Sequence, residues 1–212
     1  MSFSNQIVEE ISDVWTKATN HIFTEQLGDD VLSDEAWSKY LIQDYAFVEA
    51  LTSLVGFAVG KAPTMYQKKK LTKFLEILTG AEDDFFKDAF AKARVPESAW
   101  YNARNSEVTT GFKTLFSQAC LGGYPEILSV LLPVEWVYLS WATNKKSKNP
   151  MKIYLDWIKL HNNEEFEQFI NFLQTELNES VGDLLGTEKT NLINLFKKAC
   201  ELEILFFDHC LV

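Results

Sequence analysis

The sequence predicts an all-α bundle, and three observations predict it. Turn-breaking residues are scarce, with 9 glycines and 5 prolines in 212 residues, so few turns and long helices are favoured. Apolar residues recur at helical spacing along most of the chain, and no segment alternates convincingly at period two. Hydrophobic residues make up 47% and aromatics 14%, which fills a core and excludes a disordered chain. The length is long for one average domain and short for two. No internal repeat, low-complexity linker or long loop marks a boundary, so one domain over residues 1–212 is expected.

Each element has its own justification. Ile7, Ile11, Trp15, Ala18 and Ile22 share one helical face and predict a first helix over roughly the first 25 residues. Ser33, followed by Asp34 and Glu35, has the form of an N-cap with acids in the first turn. The helix it opens, from Trp37 to about Ala62, stops before Pro63. Another runs from about Thr64 to Gly80, and the stretch from Ala81 to about Ala93 continues it or begins again, ending before Pro96. Ala99 to Leu121 is helical in pattern and breaks at Gly122-Gly123-Tyr124-Pro125. Glu126 to Thr143 is strongly apolar and contains Pro133, whose missing N–H predicts a kink. Asn144 to Pro150 reads as a basic polar loop. Met151–Leu160, Glu164–Ser180 and Thr187–His209 complete the set. The GxxxG from Gly56 to Gly60 reads as a close helix contact.

Composition excludes several function classes. Lys and Arg number 20 against 30 Asp and Glu, a net charge of −10. That opposes a nucleic-acid or anionic-membrane surface. Cys120, Cys200 and Cys210 form no CxxC pair, so neither a zinc framework nor a disulfide scaffold is expected. The first residues lack the basic and apolar regions of a signal peptide, and no uncharged stretch reaches the length of a membrane span. The expectation is a soluble cytoplasmic protein.

Motifs narrow the chemistry further. GxxxxGK[ST], GxGxxG, HExxH and GxSxG are all missing from the sequence. Di-iron bundles carry Glu-x-x-His pairs, but the residues three before His21, His161 and His209 are Ala18, Ile158 and Phe206. His21 on the first helix stays open as a haem ligand, beside its ordinary reading as a core-edge or surface histidine. What stands out is a set of carboxylates within apolar helices: Asp44, Glu82, Glu135 and Glu203. A buried carboxylate costs several kcal/mol unless paired or hydrogen-bonded. Each acid therefore lies on a solvated stripe or serves a site. Glu135, between Leu131-Leu132-Pro133-Val134 and Trp136-Val137-Tyr138, is the most pointed case.

Several of these segments together resemble the TenA/thiaminase II family. Trp37-x-x-Tyr40-Leu41-x-Gln43-Asp44-Tyr45 resembles its second-helix motif, and Gly122 to Leu128 followed by Leu131-Leu132-Pro133 resembles its central segment. Glu201-Leu202-Glu203-Ile204-Leu205-Phe206-Phe207-Asp208 resembles its terminal motif. The resemblance spans nearly the whole chain and implies the haem-oxygenase-like all-α fold. The family's nucleophilic cysteine would fall at Val134, and none of the three cysteines replaces it by position. A branch of the family carries instead a glutamate three residues before its tyrosine, the spacing of Glu135 and Tyr138; Glu82-x-x-Phe85-Phe86-Lys87 also resembles that branch. A pocket tyrosine of the cysteine type falls at Gly111, with Phe112 beside it. Another falls at His161, and Phe47 stands where many members have tyrosine.

The resemblance implies an aminopyrimidine derived from degraded thiamin as substrate, with no metal or organic cofactor. Asp44 is expected to address the ring amine and its neighbouring nitrogen, and Phe47 and Tyr138 to hold the flat ring. Glu203 is expected as the acid–base residue, with Glu135 as a second carboxylate that activates water or orients Glu203. Tyr138 joins the catalytic set, while Glu82 and His161 complete the binding set. The implied reaction is hydrolysis of an aminomethyl- or formylaminomethyl-pyrimidine for thiamin salvage. The alternatives are a non-catalytic pyrimidine-binding protein and a thiaminase II proper. The resemblance also implies a homo-oligomer, dimer or tetramer.

Overall fold

A computed structural model describes residues 1–144 and 151–212. Its helices are α1 (Phe3–Glu10), α2 (Ser12–Thr19), α3 (Ile22–Gly28), α4 (Asp34–Lys61), α5 (Met65–Ile77), a π-helical segment (Leu78–Glu82) and α6 (Asp83–Ala93). They continue as α7 (Glu97–Trp100), α8 (Glu107–Leu121), α9 (Tyr124–Asn144), α10 (Lys152–His161), α11 (Glu164–Ser180) and α12 (Gly186–Leu211). No strand occurs among the described residues, so the all-α bundle is borne out.

The predicted first helix is three helices. Ile11 leaves helical geometry at φ −104° and ψ 27°, and Asn20 does so at φ −130° and ψ 44°. The Asn20 amide turns back onto the Thr16 carbonyl at 3.0 Å, and His21 caps the next helix by accepting the Phe23 N–H at 3.1 Å. The apolar spacing survives as far as Ala18, with Ile7, Ile11 and Ala18 buried and Trp15 packed against the core, but Ile22 lies beyond the second break and is half exposed. The predicted helix over 99–121 is also divided. A single turn at α7 is followed by a non-helical stretch before α8. Gln43 on α4 is responsible: its amide donates to the Arg104 carbonyl at 3.1 Å, and its oxygen accepts the Ser106 N–H at 2.9 Å. These tertiary bonds hold the backbone extended until Ser106 caps α8 by accepting the Thr109 N–H.

Elsewhere the boundaries follow local chemistry. Ser33 caps α4 by accepting the Ala36 N–H at 3.1 Å. Asn163 caps α11 by accepting the Phe166 N–H at 2.9 Å. The two predicted helices from Thr64 to Ala93 are joined by the π segment, which carries one helical run into α6. Helix α9 passes through Pro133 as one element and starts earlier than predicted, at Tyr124. The basic loop lies at 145–150, outside the described residues.

Helix α9 is apolar all round and accordingly central. It packs against α12, α11, α4, α8, α10 and α2, while α4 packs against α5, α8 and α6. Helix α4 alone among the described helices is long and apolar enough to cross a membrane; half of that window is buried inside the fold. The GxxxG expectation fails. A side chain built at Gly56 or Gly60 would meet nothing within 4 Å, because the buried stripe of α4 runs instead through Leu51, Leu54, Val55 and Ala58. Cys200 and Cys210 are buried in the core.

Candidate active site

Helices α4, α9 and α12 and the π segment each carry one carboxylate inward. Asp44 is 2% exposed, Glu82 8%, Glu135 6% and Glu203 1%. Helical spacing explains the placement. On α4, Asp44, Phe47, Val48 and Leu51 fall on one face, and on α9 Val134, Glu135 and Tyr138 do. The π segment adds a residue's width to the turn before α6 and ends on Glu82, a local irregularity that often marks a functional site.

These side chains surround one small cavity of about 10 Å³, lined by Asp44, Phe47, Glu82, Glu135, Tyr138 and His161 together with Val48, Leu51, Val134 and Trp157. That is room for about one water, so a ring enters only where the surrounding side chains give way. Six of the seven residues singled out in the sequence line it directly. The seventh, Glu203, lies behind that wall and is coupled electrostatically to Asp44 and Glu135. A larger cleft of about 210 Å³ between α5 and α11, floored by Phe74, Phe166 and Phe169, contains none of the buried carboxylates.

Among the described residues no Lys or Arg forms an ion pair with any of the four acids. Burial followed by the charge of Asp44 pushes Glu135 up to about 8. Asp44 is pushed up by burial to about 7, against the pull of the Tyr40 and Tyr138 phenols, which favour its ionised form. Glu82 and Glu203 rise well above the usual carboxylate range through burial and their carboxylate neighbours. One oxygen of Asp44 (Oδ2) and one of Glu203 (Oε1) have no hydrogen-bond partner. Such orphaned buried acceptors call for a ligand, water or shared protons. The cluster is therefore a reservoir of protons near neutral pH, open to a ligand that brings positive charge or N–H donors.

The remaining walls are aromatic. Phe47 stands edge-on to Phe112 at 4.7 Å. Tyr138 packs against His161 at 4.9 Å, and Trp157 against His161 at 4.4 Å. Phe86, Phe112, Phe206 and Phe207 are fully buried behind the cavity wall rather than in it. Sequence reasoning missed Tyr40 and Trp157 as site residues. The Trp157 indole donates to the Tyr40 hydroxyl at 3.0 Å, and the Tyr40 and Tyr138 hydroxyls are 3.1 Å apart. The signal for Trp157 was its position one turn before His161. Gly111 is packed under Leu202, whose methyl would sit 3.0 Å from an added Cβ, so that position offers no ring to the cavity. His21 is not available as a haem ligand: one ring nitrogen accepts the Phe23 N–H and the other faces Asp208 at 3.1 Å.

Comparison with known proteins identifies the family. The sequence profile of the TENA/THI-4/PQQC family matches residues 8–211. A relative from Halalkalibacterium halodurans named aminopyrimidine aminohydrolase is 26% identical, with 98% of this chain and 95% of the relative aligned. Another of the same name from Helicobacter pylori is 21% identical, with 98% of each aligned. Among solved structures, a TenA homologue from P. horikoshii OT3 superposes with a TM-score of 0.87 at 20% identity, covering 99% of this chain and 98% of that one.

Proposed function

The chain belongs to the TENA/THI-4/PQQC family, and on that premise we propose that it hydrolyses an amino- or formylamino-methylpyrimidine, a breakdown product of thiamin, to a salvageable precursor. The observation that carries this reading is the small aromatic-lined cavity walled by buried carboxylates with no cation among them. A 4-aminopyrimidine supplies an N–H donor beside a basic ring nitrogen, which one carboxyl group can address together. Asp44 takes that role, and its unpartnered oxygen supports it.

For the free amine, water adds its oxygen to the methylene carbon, the C–N bond breaks, and ammonia leaves with one proton from the acid. Glu203, behind the wall, supplies that proton: burial and then the charges of Asp44 and Glu135 raise its proton affinity and keep the acid form in place. Glu135 takes the proton of the attacking water. Two carboxyl groups in different surroundings can divide acid and base roles in this way. Tyr138 holds the ring and its phenol faces Asp44. Glu82 and His161 bound the ring on the remaining sides. No metal or organic cofactor enters this scheme.

A single continuous core supports one domain over 1–212. The net charge of −10 supports a cytoplasmic enzyme without nucleic-acid or membrane partners. Exposed Phe57, Tyr66 and Leu121 support a homo-oligomer, dimer or tetramer.

The second reading, a pyrimidine-binding protein without turnover, is favoured by Val134 in the wall where a thiol nucleophile would stand. Incubation of purified protein with the aminomethyl-pyrimidine, the formylaminomethyl-pyrimidine and thiamin decides between them. Release of ammonia or formate is expected. Ligand-dependent thermal stabilisation with neither product leaves the binding protein, and cleavage of thiamin alone overturns the carboxylate mechanism.

A further inference from the structure

We propose that His161 presents a hydrogen-bond acceptor, its Nε2 lone pair, to the second hydrogen of the ligand's ring amine, and so selects primary ring amines over rings that lack one. This rests on the aminopyrimidine reading of the same cavity and goes further by assigning an atom and a direction to the bond.

The backbone fixes the tautomer of His161. His161 ends α10, is 6% exposed and lines the cavity. Its Nδ1 lies 3.0 Å from the backbone carbonyl oxygen of Trp157. A carbonyl oxygen only accepts, so Nδ1 carries the proton. A neutral imidazole then has an acceptor at Nε2 and nothing to donate there. Burial among rings keeps the imidazole neutral, lowering its pKa to about 4 against the small opposing effect of the Trp157 carbonyl. Tyr138, Trp157 and Phe166 hold the ring on three sides at centroid distances of 4.9, 4.4 and 5.3 Å, so it has little freedom to turn.

The partner follows from the cavity's inventory. Asp44 supplies one acceptor edge, and Tyr138 spans the distance between it and His161: its phenol faces Asp44 and its ring lies against the imidazole. A primary ring amine has two in-plane hydrogens that diverge by roughly 120°, and two acceptors on different walls are needed to satisfy both. A site built to hydrogen-bond a donor rejects the analogue lacking it far more strongly than an apolar wall does.

The test uses ligands that cannot turn over. Binding of 4-amino-2,5-dimethylpyrimidine and 2,5-dimethylpyrimidine is measured by calorimetry for wild type, His161→Phe and His161→Gln. His161→Phe is expected to weaken the amino ligand about tenfold, one net hydrogen bond, and to leave the des-amino ligand within about twofold. His161→Gln, whose amide oxygen can accept, is expected to restore part of the difference. Equal weakening of both ligands, or none, overturns the proposal while leaving the site intact. Wild type that binds both ligands alike overturns the aminopyrimidine reading itself. Should His161→Phe fail to fold, nitrogen-15 spectra of histidine-labelled wild type still decide the matter. A protonated Nδ1 and a bare Nε2 whose resonance moves on adding the amino ligand are expected; a protonated Nε2 overturns the proposal.

Discussion

The hydroxyl oxygens of Tyr40 and Tyr138 lie 3.1 Å apart in the protein interior, although 98 positions separate the residues in sequence. Tyr40 also accepts the Trp157 indole N–H, so one phenol ties α4, α9 and α10 together at the edge of the cavity. Because the indole has already filled one site on the oxygen, the Tyr40 proton must point to Tyr138 or Asp44. Tyr40→Phe strands the Trp157 donor and frees Tyr138. Leaving a buried donor unsatisfied costs about 1–3 kcal/mol. The expected outcome is a loss of that size in urea-unfolding free energy. A Tyr40→Phe protein as stable as wild type would show that the chain of hydroxyls carries no such energy.

Protons on the acid cluster give stability a definite pH dependence. Asp44 and Glu135 hold their protons up to about 7 and about 8 in the folded protein, but only to about 4 when unfolded. Their contribution is fully present below the unfolded values and is lost as pH rises through the folded ones. His161 acts the other way: its pKa of about 4 when folded, against about 6.5 unfolded, costs stability as pH falls below 6.5. Above that point it is neutral in both states. Stability should therefore fall between about pH 6.5 and 8, each coupled acid adding at most about 1.4 kcal/mol per pH unit. Urea titrations across this window check it. A flat or rising curve would mean that the acids are not held protonated.

Much of this site was legible in the chain, and for a physical reason. A charge inside an apolar stretch is anomalous: Glu135 stood out because α9 is apolar all round, and Glu203 because Leu202, Ile204, Leu205, Phe206 and Phe207 surround it in sequence. The family resemblance then joined acids from distant helices that periodicity alone could not bring together. What was not legible depended on tertiary contacts. The break before α8 is made by Gln43 reaching across from α4, and no local signal near Tyr101 announces it. The divided first helix kept its apolar spacing through Ile11, so the pattern concealed the break. Trp157 drew no notice because the indole N–H that matters finds its partner on another helix.

The two glutamates assigned to chemistry are separable by a pair of substitutions. Glu203→Gln removes the proton donor and should lower kcat by roughly 10²–10⁴. If Glu135 activates water independently, Glu135→Gln costs a comparable factor and the double variant costs more than either alone. If it only orients Glu203, the double variant matches Glu203→Gln, since residues acting as a unit are not additive. Glu135→Gln also removes a like charge that raises both Glu203 and Glu82. The alkaline limb of the kcat/KM profile, which the proton donor Glu203 sets, should then move to lower pH. An unmoved limb would detach Glu135 from the cluster.

Restoring a thiol at Val134 should not create a thiaminase. Val134 is 1% exposed and lines the cavity directly beside Glu135, so Val134→Cys puts a thiol of similar bulk next to the ring. The thiolate is the nucleophile, and it forms readily only beside positive charge or at a helix N-terminus. Here the neighbours are buried carboxyl groups in the middle of a helix. Cys200 shows the effect in the native chain: burial, then the charge of Glu203, pushes its thiol far upward. Val134→Cys should therefore stay unmodified by iodoacetamide at pH 7 and cleave no thiamin above the wild-type rate. Rapid alkylation of the new thiol, or thiamin cleavage that tracks it, would show that the carboxylates do not suppress it and that a single residue separates the two chemistries.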